Sequence, residues 1–350
     1  MGRKLVWASL VLAPVTIMLR YGFHVGDVAL FAVSAAALVP LAWLIGEATD
    51  HAGRHTGPGI GGFLNASFGN APELIIALFA VSSGLPNVVR GSLIGSVVSN
   101  LLLVLGLAVL AAPDRERGID RPSLLTQVGL VLAAVLLFLV PAVPGWHGDP
   151  ERHSLAVATA PVAVALLLLY LGVTAWGLRR HRRLHAESGV EPEEAWSLPA
   201  AMAALAAATA VTAFVSEILV HSLEAFAKQA RLSEFFVAAV IVAIVGNAAE
   251  HGGAVVLARR GRNLAIASEI AVSSSAQVAL LVTPVVALLS WAVRPALPLS
   301  FRPIELAALA GSALVVAFTL SDARARRWEG AALVGLYALT VVGFGLAGDR

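Results

Sequence analysis

Long apolar runs, interrupted at short intervals by Pro, Gly and charge, dominate this sequence. A bilayer core takes roughly 20 apolar residues per helix. Eleven segments meet that length, approximately 5–21, 26–46, 60–84, 88–112, 121–141, 154–178, 198–222, 233–258, 263–290, 303–320 and 328–347. Breaks such as Pro113-Asp114-Arg115 and Gly148-Asp149-Pro150-Glu151-Arg152 read as the loops between them. Arg3-Lys4 and the run behind it have the outline of a signal peptide. No clean small-x-small cleavage site follows, and many spans come after, so the segment reads as a retained first helix.

Composition agrees. Of 350 residues, 58% are hydrophobic and 13% charged, about half the charged share of a soluble protein. That excludes a large water-soluble body. There is no cysteine, which removes thiolate metal sites and cysteine nucleophiles. The net charge of +2 gives no argument for nucleic acid. The 24 Lys and Arg are unevenly placed: the N-terminus and every second loop hold 16 of them, the other loops 8. The richer side is expected in the cytoplasm. The N-terminus then lies inside and, with an odd number of spans, the C-terminus outside. The connection at 179–197 joins Arg179, Arg180, Arg182 and Arg183 to Glu187, Glu191, Glu193 and Glu194. It reads as a solvated cytoplasmic linker, with a regulatory cation-sensing role as the sharper alternative.

The sequence repeats itself. FGNAPELI in the third span and VGNAAEHG in the eighth lie 177 positions apart. At that one offset, without gaps, Gly69 pairs with Gly246, Asn70 with Asn247 and Glu73 with Glu250. Gly84 pairs with Gly261, Ser96 with Ser273, Asn100 with Gln277, and Glu47 with Glu224. Five spans separate the copies, so the second enters the membrane from the opposite side. The expected fold is an all-α polytopic membrane protein of about 11 transmembrane helices, one N-terminal helix plus two inverted-topology five-helix repeats. Its expected divisions are an N-terminal helix at 1–25, a first repeat at 26–178, the linker at 179–197 and a second repeat at 198–350. Inverted repeats are the architecture of secondary transporters, with the site at the midplane between the halves.

Glu73 and Glu250 are read as lying mid-span between apolar flanks. An acidic residue there costs a few kcal/mol on insertion scales and usually faces a functional cavity. Asn70 and Asn247 stand three residues before them, on one helical face, and Gly69 and Gly246 admit a close backbone. Two carboxylates with neutral oxygens suit a hard cation such as Ca²⁺ better than a soft metal. Pro72 frees a carbonyl that a cation, water, or an ordinary Ser or Thr could satisfy. Ser92, Ser96, Ser99 and Asn100 on the fourth span, with Ser273, Ser274 and Gln277 on the ninth, form a small polar surround that plain helix packing explains equally well for the serines. Glu217, His221 and Glu224 fall on one stripe of the seventh span. Glu47, with Asp50, His51 and Arg54, ends the second. Both sets read as vestibule groups, and His221 and His251 as candidates for proton relay.

These segments resemble the Ca²⁺/H⁺ antiporters of the calcium/cation antiporter superfamily. GNAPELIIALFA and SEFFVAAVIVAIVGNAAEH are similar to the family's two signature segments, RGSLIGSVVSNLLLVLG to its fourth helix, and SSSAQVALLVTPV to its ninth. The resemblance implies that Glu73 and Glu250 bind the cation and accept protons. Asn70 and Asn247 would share that centre, and Asn100 and Gln277 would support it. It implies matching positions for His251, Glu217, Glu224 and Glu47, and for the acidic linker. Pro72 and Ser273 depart from the family pattern, which expects a smaller or β-branched residue and Gly there, and His221 is less typical.

The function expected is antiport of Ca²⁺ against H⁺ by alternating access, both competing for the Glu73/Glu250 pair. A Na⁺(K⁺)/H⁺ or Na⁺/Ca²⁺ exchanger of the same fold is the alternative. No enzyme chemistry is expected: Glu250-His251 lacks the second His of HExxH, and there is no Gly-x-Ser-x-Gly elbow. No cofactor is expected, Ca²⁺ being the transported substrate. The partners are Ca²⁺, H⁺ and the bilayer, and the expected location is a bacterial inner membrane.

Overall fold

The computed structural model describes residues 2–23, 25–113, 118–181, 196–259 and 264–349. Apart from one isolated bridge between Gly118 and Arg324, the regular structure of the described residues is helical. The helices are α1 (Lys4–Tyr21), α2 (Asp27–Phe68), α3 (Ala71–Ser82), α4 (Pro86–Ala111), α5 (Arg121–Gly145), α6 (His153–His181), α7 (Leu198–Ala230), α8 (Glu234–Gly246), α9 (Ala248–Arg259), α10 (Leu264–Val293), α11 (Pro303–Thr319) and α12 (Arg327–Ala347). Among the described residues, eight helices are long and apolar enough to cross a membrane, and the bent pair α8–α9 makes a ninth. The sequence-based count of eleven also includes α11 and the α2–α3 region, and α3 and α11 are shorter apolar helices.

Two elements differ from the sequence expectation. The second and third spans do not form separate helices, because α2 is helical throughout 42 residues. It nevertheless doubles back. A Cβ on Gly53 would lie 3.3 Å from the Cα of Gly61, whereas eight residues of straight helix span about 12 Å. Only glycines let the two limbs touch there. The third and eighth spans, read as continuous, are each broken after the motif glycine. The breaks repeat at the sequence offset: α3 and α9 are both 12 residues long, and both ends are displaced by 177 positions.

Helix α4 forms the axis of the molecule: 83% of its most apolar window is buried, against 11% for α1. Its first half packs on α8 and its second half on α9 and α12. The first contact is backbone on backbone. A Cβ on Gly91 would stand 2.7 Å from the carbonyl oxygen of Phe235, and one on Gly95 only 2.0 Å from that of Ala239. Here α8 makes a π turn, Val237–Val242. Helices α4 and α10 carry π turns too, at Ser99–Val104 and Val278–Val282. The pattern crosses between halves: α3 packs on the C-terminal part of α10, and α9 on the C-terminal part of α4. Helices α2 and α7 pack extensively against one another.

The connections gather at two ends. At one, Arg90, 2% exposed, donates to Glu151 at 2.7 Å, and Trp146 Nε1 donates to the Phe301 carbonyl at 2.9 Å. This end joins the segments around 146–152, 231–233 and 294–302. At the other, Ile119 N donates to the Ala323 carbonyl at 3.0 Å, and Trp196 stacks on His51 with ring centroids 4.6 Å apart. Of the linker, residues 182–195 lie outside the described residues.

Candidate cation and proton site

Each half supplies a helix break with the same backbone. Asn70 has φ −97° and ψ 17°, and Asn247 has φ −92° and ψ 6°. Neither value continues an α-helix. A break in a helix leaves backbone groups without intrahelical partners, and in a membrane such ends are tolerated where they line a cavity. The motif carboxylates are therefore not mid-helix, as the sequence suggested: Glu73 and Glu250 both stand in the first turn of the helix after the break. There the N-terminal end of the helix dipole favours negative charge.

Pro72 finds its explanation here. It sits in the first turn of α3, where a missing N–H costs nothing and its fixed φ suits the helix. It does not make the break, because Ala249 occupies the matching position and Asn247 breaks in the same way. Replacing Pro72 with Ala is accordingly expected to leave ion uptake within about twofold of the parent and to cost under roughly 1 kcal/mol of stability, read by transport rate and unfolding midpoint. A loss of most activity would show that the ring holds the break open.

The two breaks interlock. A Cβ on Gly246 would lie 3.2 Å from Glu73 Oε1, and a Cβ on Gly69 would lie 3.3 Å from Glu250 Oε1. Each carboxylate thus rests on the glycine of the opposite break, and the two are within electrostatic reach of one another. The amides tie the halves together. Asn70 Nδ2 donates to Gln277 Oε1 at 2.9 Å, Asn247 Nδ2 to Ser96 Oγ at 2.8 Å, and Asn100 Nδ2 to Ser274 Oγ at 3.1 Å. Ser274 in turn lies beside the carboxylate of Glu250.

The amide N–H groups are engaged in these bonds, and several of the oxygens are not. Among the described residues, Glu73 Oε2, Glu250 Oε2, Asn100 Oδ1 and Asn247 Oδ1 are buried without a hydrogen-bond partner. Buried polar atoms are rarely left so, and unpartnered oxygens on both carboxylates and on two of the amides beside them are acceptors suited to a cation. Ca²⁺ takes six to eight oxygens at about 2.3–2.6 Å, so water or carbonyls of the broken helices would complete the shell. No group of three or more His, Cys, Asp or Glu side chains suited to a metal occurs among the described residues, and this site holds its acids as a pair.

Of the residues singled out from sequence, Glu73, Glu250, Asn70, Asn247, Gly69, Gly246, Asn100, Gln277 and Ser96 converge here. His251 follows Glu250, and its Nε2 is buried without a partner among the described residues. The Ser273 hydroxyl donates to the Ile270 carbonyl of its own helix at 3.2 Å, whereas the neighbouring Ser274 hydroxyl accepts from Asn100 at 3.1 Å. Spacing alone did not separate them, because positions three and four before Gln277 both lie near its face.

The vestibule groups divide. Glu217, His221 and Glu224 do share a pocket of about 420 Å³, closed on its other side by Phe79, Ser82, Ser83 and Leu85 at the far end of α3. His221 Nδ1 pairs with the Glu217 carbonyl oxygen at 2.9 Å. Glu47 lies at the opposite end of the molecule, with an oxygen 3.6 Å from His51 Nε2, where Trp196 covers the His51 ring.

The sequence matches the family described as sodium/calcium exchanger protein in two stretches, 27–178 and 200–346. The chain belongs to that family. A Ca²⁺/H⁺ antiporter of Bacillus subtilis strain 168, ChaA, is 37% identical over 92% of this chain and 93% of its own length. The solved structure of YfkE, described as a Ca²⁺/H⁺ antiporter, superposes with a TM-score of 0.83 at 33% identity, covering 98% of this chain and 99% of that one. The structure of the H⁺/Ca²⁺ exchanger CAX matches at a TM-score of 0.72 over 97% of this chain and 88% of that one. At 18% identity it shows the shared fold alone. The resemblance read from the motifs is thus borne out at the level of the family, and the chain is an integral membrane protein of that exchanger fold.

Proposed function

We propose that this protein is a secondary active antiporter that exchanges Ca²⁺ for H⁺ across a membrane. The observation that carries the reading is the interlocked pair Glu73 and Glu250, each seated on the other half's break glycine, with buried acceptor oxygens around them. Two carboxylates enclosed in a low-dielectric cavity do not stay charged and empty. One Ca²⁺ neutralises them, or two protons do. The two loads exclude each other by charge balance, and alternating exposure of one cavity to the two sides turns that exclusion into exchange. No covalent step enters, so no enzyme activity and no resident cofactor are assigned.

The divisions 26–178 and 198–350 serve as two repeats of opposite orientation. The shared 177-residue displacement of α3 and α9 supports this, as do the two stretches of family match. Counting α2 as two limbs and each broken helix as one span restores eleven crossings. The end holding Glu217, His221 and Glu224 then faces outward, and the end holding Glu47 and Trp196 faces the cytoplasm. A bacterial inner membrane is the proposed location, with a regulatory role for the linker left to the sharper of its two readings.

The test is uptake of radiolabelled Ca²⁺ into everted vesicles driven by a pH gradient, with excess Na⁺, K⁺ or Mg²⁺ as competitor. Uptake should collapse with a protonophore and survive Na⁺ and K⁺. Uptake that needs no pH gradient, or proton release driven better by Na⁺ than by Ca²⁺, would move the protein to the alternative, a Na⁺(K⁺)/H⁺ or Na⁺/Ca²⁺ exchanger.

A further inference from the structure

Helix α8 delivers Gly246 and Asn247 to the site, and its register decides where they stand. Its start is held from far away in sequence. Asp349 accepts hydrogen bonds from two successive backbone N–H groups, Glu234 at 3.0 Å through Oδ2 and Phe235 at 2.8 Å through Oδ1. Ser233 Oγ takes the next, from Phe236 at 3.1 Å. A carboxylate on the first N–H groups of a helix is a strong cap, favoured by hydrogen bonding and by the dipole. Asp349 is itself held. Arg302 Nη1 donates to the Gly348 carbonyl at 2.8 Å, the Arg302 guanidinium lies 4.2 Å over the ring of Phe235, and Phe344 meets Phe235 edge-on at 5.3 Å.

Immediately after this cap comes the π turn Val237–Val242. A π turn carries one residue more than the α-helix it interrupts, and a helix can relax by expelling it. The only way out is towards the N-terminus of α8. Beyond the turn, Asn247 is bonded to Ser96, and Gly246 is wedged against Glu73. Expelling the residue would turn the capped end by roughly 100° against the site end. Gly95 packs against Ala239 inside the π turn, so α4 feels the same displacement.

We propose that Asp349 is a positioning residue for cation exchange: by capping α8 it keeps the π turn in place, and so keeps Gly246 and Asn247 in register with Glu73 and Ser96. The proposal adds a residue to the Ca²⁺/H⁺ reading and rests on it for its transport arm alone.

The experiment compares the parent with Asp349→Ala and Asp349→Asn. Hydrogen exchange is followed in α8, and the KM and maximal rate of Ca²⁺ uptake in vesicles. In Asp349→Ala, faster exchange should spread through Val237–Val242 to Asn247. The KM for Ca²⁺ should rise roughly two- to thirtyfold, the range that loss of a helix cap implies, with membrane abundance unchanged. Asp349→Asn keeps one acceptor oxygen and should fall between. Faster exchange confined to Glu234–Phe236 with parental KM would reduce Asp349 to a local cap and overturn the proposal, as would a fall in rate and abundance at constant KM. If the parent itself moves no Ca²⁺, the functional reading fails. The exchange pattern still decides the role of Asp349.

Discussion

Glu73→Gln is expected to abolish Ca²⁺/H⁺ exchange, and Glu250→Gln to do nearly the same. Glutamine keeps the volume and a hydrogen-bonding oxygen, so the interlock with Gly246 or Gly69 survives in outline. What disappears is one negative charge in a buried site. A unit charge 4 Å from another contributes about 4 kcal/mol at an effective dielectric of 20, and the ion is divalent. Even after generous allowance for relaxation and water, Ca²⁺ affinity should fall at least about a hundredfold. The proton side fails as well. A site with one carboxylate has one proton to exchange against two positive charges, so coupled exchange stops rather than slows. The two variants need not be equal. Ser274 lies beside the Glu250 carboxylate, although Oε2 of both acids is without a partner among the described residues. Ca²⁺ binding and Ca²⁺-driven proton release in vesicles check both. A Glu73→Gln protein with unchanged Ca²⁺ affinity would remove the pair from the centre of the mechanism.

The second large effect belongs to a residue with no charge. Gly95→Ala places a Cβ where the Ala239 carbonyl oxygen stands 2.0 Å away, its carbon 2.6 Å and its Cα 2.7 Å. No rotamer relieves this, because every obstacle is backbone. Helices α4 and α8 must separate, and the π turn of α8 and the Asn247–Ser96 bond move with them. Overpacking in a tight core costs about 1–3 kcal/mol and sometimes more, and here both partners are rigid. Purified Gly95→Ala should unfold at a clearly lower temperature and lose most of its transport. Gly91→Ala should be milder, since its obstacle is 2.7 Å away. Gly129→Ala meets nothing within 4 Å and should behave as the parent. Parental stability and transport in Gly95→Ala would mean that the close approach of α4 and α8 is dispensable.

Both predictions were only half visible beforehand. The carboxylates could be named from the sequence because lipid makes a buried acid costly, and because the same acid recurs at one fixed offset with Gly and Asn in step. Gly95 carried no such mark. It stood among small residues of the fourth span, where Gly, Ala and Ser serve general helix contact. Only the position of Ala239, far away in sequence, makes it irreplaceable. Arg90 is similar. By sequence it stands at the edge of a loop like any other charge, yet it is buried against Glu151 and reaches Ser300 at 3.5 Å.

The sequence by itself determined a helical membrane protein of this family and an internal repeat of motif residues, which the structure brings together around Glu73 and Glu250. These follow from hydropathy, period and repetition, which are local or self-referential properties of a chain. The tertiary structure decided where helices stop. Hydropathy reports the surroundings of side chains and is blind to the continuity of backbone hydrogen bonds. The third and eighth spans therefore read as unbroken, although Asn70 and Asn247 interrupt them. The structure also decided which serine meets Asn100. Ser273 and Ser274 are nearly equivalent in spacing, and it is the Ser274 hydroxyl that accepts from Asn100, while that of Ser273 turns to its own helix. It decided that each carboxylate rests on the opposite half's glycine, a relation between two chain segments that no single segment encodes.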